Sequence, residues 1–152
     1  MKNATSGTTR RQFVLFATSA VTVTLAGCLD DDEDDEIPGD EDLLPSDQQA
    51  LVEAWIAAVD DDLDVQSWRM FGDQFIPEYS SGNPPETDIP ILGESYADIV
   101  ADGFEYETMP TAVDDEGLIQ YMVYIYPEWA EEYYQGEIDK DEYIGRIEGT
   151  IH

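Results

Sequence analysis

Apolar residues recur at helical spacing in four segments of the chain, and each segment has a recognisable start or end signal. Ser46 and Asp139 each stand three residues before a Gln or Glu, which is the spacing of a capping box. Pro127 occupies a favoured first helical position, and Gly136 suits a helix end. We therefore predict helices over residues 46 to 60, 88 to 102, 127 to 135 and 139 to 148.

Four further segments are rich in β-branched and aromatic residues, and turns join them in pairs. Gly72-Asp73 predicts a two-residue hairpin turn. Pro77 lacks an N–H group, so its strand is expected to lie at a sheet edge or to stop early. The last segment is apolar on nearly both faces and is expected to be central. The predicted strands are 65 to 71, 74 to 79, 104 to 113 and 118 to 126.

The predicted elements follow the order α-ββ-α-ββ-α-α. Two hairpins can pair into one antiparallel sheet of four strands, and the helices can cover one of its faces. The sequence thus predicts an α+β domain with two layers.

Charge is very unevenly distributed along the chain. The 152 residues include 36 acids and six bases, and every acid follows Cys28, where only three bases remain, for a formal net charge of −33. This charge repels nucleic acid, so we expect no nucleic-acid partner. Apolar residues still make up 42% of the chain, enough for a packed core. Folding under such charge suggests a halophile, in which hydrated salt cations screen the surface without binding specifically.

The start of the chain has the features of an export signal. Arg10 and Arg11, followed by Phe13, match the twin-arginine pattern. An uncharged stretch from residue 13 to 27 follows, and it is too short and too polar to span a membrane. It ends in Leu25-Ala26-Gly27-Cys28, which resembles the lipobox of bacterial and archaeal lipoproteins, in which the cysteine carries a lipid.

These signals divide the chain into three parts. Residues 1 to 27 are predicted to be a twin-arginine lipoprotein signal peptide. Residues 28 to 45 are predicted to be the lipidated cysteine and a disordered acidic tether, because blocks of like charge stay extended. Residues 46 to 152 are predicted to be the small α+β domain. The expected location is the extracellular face of the cell membrane, with the lipid on Cys28 as anchor.

The end of the chain carries a resemblance to a known group of proteins. Residues 128 to 139 read Glu-Trp-Ala-Glu-Glu-Tyr-Tyr-Gln-Gly-Glu-Ile-Asp, and the last helix closes on Thr150-Ile151. This pattern resembles the C-terminal segment of uncharacterised haloarchaeal proteins exported as twin-arginine lipoproteins. The resemblance implies a location and a fold, and it implies no catalytic residue.

Residues suited to catalysis or metal binding are scarce. His152 is the only histidine and is expected to be frayed, and Cys28 is the only cysteine. Asp60, Asp62 and Asp64 begin like a calcium loop, but Val65 stands where that loop needs glycine. We therefore expect no catalytic residues, no metal site and no cofactor.

Aromatic residues are the more informative excess. Met122, Tyr124 and Tyr126 alternate on one face of the last predicted strand, together with Leu118. They are the candidate binding face, if that side of the sheet is open. In the alternative interpretation, long tyrosine side chains only shield this face. Trp129 and Tyr133 are expected to be in the core, where they hold the third helix against the sheet.

We therefore expect a non-catalytic, lipid-anchored surface domain that binds a protein or has a structural role in the cell envelope. A lipoprotein that binds a small ligand in an aromatic pocket is an alternative. A hydrolase that uses two close, buried carboxyl groups is a weaker one.

Overall fold

A computed structural model describes Gly39 and residues 43–152 of the protein. The export signal, the lipobox and Cys28 lie outside the described residues. Within the described part, four helices and five strands form a mixed α+β domain. Their order is α1 (Ser46–Val59), β1 (Asp64–Phe71), β2 (Gln74–Ser80), α2 (Pro85–Ala101), β3 (Glu107–Thr108), β4 (Thr111–Val113), β5 (Ile119–Met122), α3 (Pro127–Tyr134) and α4 (Lys140–Glu148).

The sheet is mixed, so the prediction of a purely antiparallel sheet is wrong. The β1–β2 and β4–β5 pairs are antiparallel, but β2 runs parallel to both β3 and β4. The reason is α2, whose 17 residues carry the chain back along the sheet before the next strand begins. A helix in this position makes a crossover, and a crossover joins parallel strands.

The strand order β1-β2-β4-β5 also reverses two expected positions. The strand with Pro77 is central, and β5 lies at the end of the order. Strands β3 and β4 pair with β2 in one register, offset by 33 residues, which places Pro110 opposite Pro77. Neither proline can donate a hydrogen bond, so the ladder between the strands is interrupted at this level. The strands remain paired on both sides of the interruption.

The outer edge of β5 is paired with the last residues of the chain. Met122 and His152 exchange two backbone hydrogen bonds of 3.2 and 3.1 Å. The Thr150 hydroxyl accepts a hydrogen bond of 2.8 Å from the backbone N–H of Tyr124. His152 is therefore held in place, and the expectation that it is frayed is wrong.

The core lies between the sheet and the first two helices, with Phe75 of β2 at its centre. The Phe75 ring meets Trp55 of α1, Trp68 of β1 and Phe104 edge to face, at centroid distances of 5.5 to 5.9 Å. Aromatic pairs favour this geometry because the positive edge of one ring meets the negative face of the other. Leu44 also joins the core, so the packed chain begins just before α1.

Helix α4 docks on α2 through a close approach at Gly93. A side chain at this position would meet Ile147 at 2.9 Å, so only glycine lets α4 come this near. At the same position, the Tyr143 hydroxyl donates a hydrogen bond of 2.9 Å to the Gly93 carbonyl. Its ring stacks on Tyr133 of α3 at a centroid distance of 4.7 Å, which ties the last two helices together.

The helix ends agree only in part with the sequence signals. Asp139 caps α4 by accepting a hydrogen bond of 2.9 Å from the Glu142 N–H, as predicted. Ser46 makes no such bond, so the predicted cap of α1 is wrong. The nearby Gln48 side chain instead bonds the Gly103 carbonyl and the Glu105 N–H, and so fixes the segment after α2. No helix among the described residues is long and apolar enough to cross a membrane.

Candidate functional site

An aromatic strip runs along the last extended segment of the sheet and on to α3. Tyr121, Val123 and Ile125 are buried, and the residues that alternate with them are partly exposed. We define the strip as Met122, Tyr124, Tyr126 and Trp129.

The rings of the strip are mutually ordered. Tyr124 and Tyr126 lie nearly parallel, with 12° between their planes and 6.4 Å between their centroids. Trp129 meets Tyr126 edge to face at 4.8 Å, and the His152 ring meets Tyr124 in the same way at 6.0 Å. Such contacts restrict the side chains before any partner arrives, which lowers the entropy cost of binding.

The backbone beneath the strip is fixed on both sides. Ile125 and Thr108 exchange two hydrogen bonds of 3.0 and 2.9 Å, and Thr150 holds Tyr124 from the other side. Pro127 then begins α3, which turns Trp129 back towards Tyr126. The strip is therefore built on a rigid support.

The structure places the three predicted face residues, Met122, Tyr124 and Tyr126, on one side of the chain and leaves them partly exposed. Trp129 and Tyr133 were expected in the core, and both pack against it while remaining partly exposed. Trp129 also extends the strip. The turn at Pro127 could have indicated this, because it starts α3 directly beside Tyr126. Leu118 was expected on the same face and instead lies at the tip of the β4–β5 hairpin, where 58% of it is exposed.

Charge on the described surface is almost entirely negative. Residues 46–152 contain 26 acids and three bases, and each base is already paired. Arg69 pairs with Glu78 at 2.5 Å, Lys140 pairs with Glu94, and Arg146 bonds Glu132 and Glu142 at 2.6 and 2.8 Å. The remaining acids have no basic side chain of the domain to neutralise them.

A buried polar network lies around Asp88 of α2. Its carboxylate is fully buried and accepts hydrogen bonds from Tyr121 at 2.8 Å, from Asn83 at 3.3 Å and from Ser81. The Tyr79 hydroxyl in turn donates to the Tyr121 hydroxyl at 2.8 Å. One buried carboxylate thus connects β2, the loop that follows it, α2 and β5.

Burial raises the pKa of both tyrosines in this network, and for Tyr121 the nearby Tyr79 and Asp88 raise it further. Both phenols therefore stay neutral in the folded state at pH values where an unfolded tyrosine ionises. Their contribution to stability is present below pH ~10, the ordinary tyrosine pKa, and is lost as the pH rises above it.

A cleft of about 550 Å³ adjoins the network. The polar residues that line it are Ser81, Asn83, Asp114, Gln120 and Tyr121, and Ile151 is among its apolar ones. Tyr121 is the one aromatic residue among its described lining residues, so this cleft differs from the aromatic pocket of the ligand-binding alternative. Asp88 is likewise the single buried carboxylate in residues 43–152.

A second, acidic cleft of about 470 Å³ lies between β1, β2 and the β4–β5 turn. Its carboxylates include Asp64, Glu78 and Asp115. The described residues nevertheless contain no group of three or more acidic, histidine or cysteine side chains placed to hold a metal ion. Asp60, the first residue of the calcium-like spacing, instead accepts a hydrogen bond of 3.3 Å from the Val65 N–H.

Within residues 43–152, the fold defines a small α+β domain with four helices and a mixed sheet. A family model described as a domain of unknown function, DUF8159, matches residues 46–152. The match covers more than half of the chain, so the protein belongs to this family. No curated protein and no solved structure matched the chain.

Proposed function

We propose that the protein is a lipid-anchored surface protein of a halophile, and that its domain binds a partner protein through the aromatic strip without catalysing a reaction. The strip is the observation that carries this proposal, because it presents ordered aromatic rings on a rigid and partly exposed support. Tyr and Trp are enriched at the centres of protein interfaces, since they bury much apolar area and keep a polar group at one end.

The charge of the domain indicates the chemistry of the partner. All three bases of the domain are paired internally, so its excess acids can be matched only from outside. We infer a partner that places apolar side chains on the strip and surrounds them with Lys or Arg. Complementary charge at the rim steers association, and the apolar centre supplies most of the affinity in high salt.

The anchoring part of the proposal rests on Arg10-Arg11 and on the Leu25 to Cys28 motif. Changing Cys28 to Ser removes the thiol that would take the lipid. We expect the Cys28→Ser protein to leave the membrane fraction for the medium, or to stop at its precursor size. Fractionation and immunoblotting measure both. Thr24→Ser, in the same stretch, should mature normally, and a Cys28→Ser protein that stays in the membrane at its mature size would contradict the lipid anchor.

The halophile part of the proposal predicts a strong dependence of stability on salt. Lowering KCl from about 2 M to about 0.1 M lengthens the Debye length to ~10 Å and exposes the domain to its own charge repulsion. We expect the melting temperature to fall steeply over this range. Sucrose separates this effect from solute exclusion, because it has no charge and cannot restore screening at low salt. A melting temperature that does not change with KCl would argue against a halophilic surface.

The binding part of the proposal predicts that Tyr124 can be removed without loss of the fold. Tyr124→Ala should lower the free energy of unfolding by only about 1 kcal/mol, because the side chain is partly exposed. The variant should nevertheless lose its association with the partner. Thermal melts in high salt and co-purification from cross-linked cells provide the two measurements.

The matched control is Tyr134→Ala on α3, where 61% of the tyrosine is exposed away from the defined strip. We expect it to retain both stability and association. If Tyr124→Ala instead unfolds the domain, the residue has a structural role and the strip loses its support as a binding surface.

A further inference from the structure

In the cleft beside Asp88, most hydrogen-bond donors have partners within the protein, but some acceptors do not. The hydroxyl protons of Ser81 and Tyr121 are directed to Asp88. Gln120 uses its amide N–H groups on Asp114 at 2.9 Å and on the Leu118 carbonyl at 3.3 Å. Most donors on the cleft walls are therefore satisfied within the protein.

The hydroxyl oxygens of Tyr121 and Ser81 also accept hydrogen bonds, from the Tyr79 hydroxyl and from the Asn83 N–H, but the amide oxygens of Asn83 and Gln120 do not. A carboxylate can only accept, so Asn83 must bond Asp88, and Gln120 must bond Asp114, through the amide nitrogen. These bonds leave the amide oxygen of each side chain without a partner. No described residue donates to either oxygen. The cleft thus has two spare acceptors, the amide oxygens of Asn83 and Gln120. Asp114 also lines it but already accepts hydrogen bonds from the Glu116 and Leu118 N–H groups and from Gln120.

Apolar side chains complete the cleft. Ile151, which is 40% exposed, lines it together with Pro85, Ala112 and Val113. A ligand that fits must therefore offer donors to the polar wall and a short hydrocarbon segment to the apolar wall. None of the three bases of the domain lines the cleft, because each is paired elsewhere.

We propose that this cleft binds an alkylammonium group, that is, a primary ammonium on a short aliphatic stem. The ammonium has three donors and no acceptor, which matches the two spare amide oxygens of Asn83 and Gln120. Its charge is favoured by Asp114 and by the net negative charge of the domain. The stem covers Ile151. The site is separate from the aromatic strip and does not depend on it.

Titration of the full-length chain with n-butylammonium chloride, followed by amide NMR at constant total chloride, tests the site. We expect saturable shifts at Asn83, Gln120 and Ile151. Two control ligands measure the contributions of charge and stem. Ammonium has the charge without the stem, and butan-1-ol has the stem without the charge. Both should bind at least about tenfold more weakly, because a charge-assisted hydrogen bond or the apolar contact is missing.

Variants place the effect in the cleft. Gln120→Met keeps the length of the side chain and removes the acceptor, so it should weaken butylammonium binding about tenfold. Gln135→Met, on the exposed end of α3, is the matched control and should have no effect. Ile151→Ser should weaken butylammonium more than methylammonium. Unchanged binding in Gln120→Met, shifts that do not saturate, or an equal response to butan-1-ol would each overturn the proposal.

Discussion

Phe75→Ala is expected to lower the free energy of unfolding by about 3–5 kcal/mol, enough to unfold much of the protein. The Phe75 side chain is fully buried, and its ring contacts those of Trp55, Trp68 and Phe104. Its removal leaves a cavity between α1 and the sheet that rigid indole rings cannot fill. The loss should be visible as a lower denaturation midpoint in high salt.

Phe71→Ala is the matched control for this prediction. Phe71 is the same residue type in the same hairpin, but 75% of it is exposed. We expect a change of about 0.5 kcal/mol or less. If the two variants have similar denaturation midpoints, the aromatic cluster around Phe75 is not the centre of the core.

Asp88→Ala is expected to cost about 2–4 kcal/mol, because it leaves several donors without an acceptor. The buried hydroxyls of Tyr121 and Tyr79 suffer most, since they lie 2.8 Å apart and without Asp88 only one of their two protons has an acceptor. Ser81 and Asn83 are more exposed and can turn to water, which limits the cost. Asp88→Asn should fall between wild type and Asp88→Ala, because an amide keeps the shape but accepts at only one of its two ends.

Asp98→Ala, on the exposed side of the same helix, controls for the loss of one negative charge. At low salt it should be neutral or slightly stabilising, since it relieves repulsion. Denaturation curves of the three variants give the comparison. An Asp88→Ala protein as stable as Asp98→Ala would show that the network does not contribute to the fold.

Local features of the fold could be predicted from the sequence because their causes are local. The turn at Gly72 needs a positive φ, and the glycine there has a φ of 66°. Pro127 begins α3 and Asp139 caps α4, as their positions indicated. Helix α2 begins at Pro85, three residues earlier than predicted, because this proline also fits the first turn.

Features that join distant segments could not be predicted in the same way. The parallel pairing of β2 with β3 and β4 depends on where α2 returns the chain, and no residue of either strand encodes that direction. The short length of β5 follows from Pro110, which accepts a hydrogen bond of 3.2 Å from the Val123 N–H but has no N–H of its own to return one.

The candidate site was predictable in part for similar reasons. The alternation of Met122, Tyr124 and Tyr126 indicated a shared face, because side chains alternate in any extended segment. The role of Asp88 gave no signal, since it is one of 36 acids and only the folded chain brings Tyr121 and Ser81 to it. The spare acceptors of the cleft likewise exist only after Gln120 has bonded Asp114.

Site-specific photo-crosslinking in living cells tests most directly whether the aromatic strip contacts a protein. Benzoylphenylalanine replaces Tyr124 or Tyr126 in two versions of the full chain, and Tyr134 in a third as the exposed control. We predict one discrete protein adduct of the same mass at positions 124 and 126, and none of that mass at position 134. No adduct at the strip, or the same adduct at all three positions, would contradict the proposed binding surface.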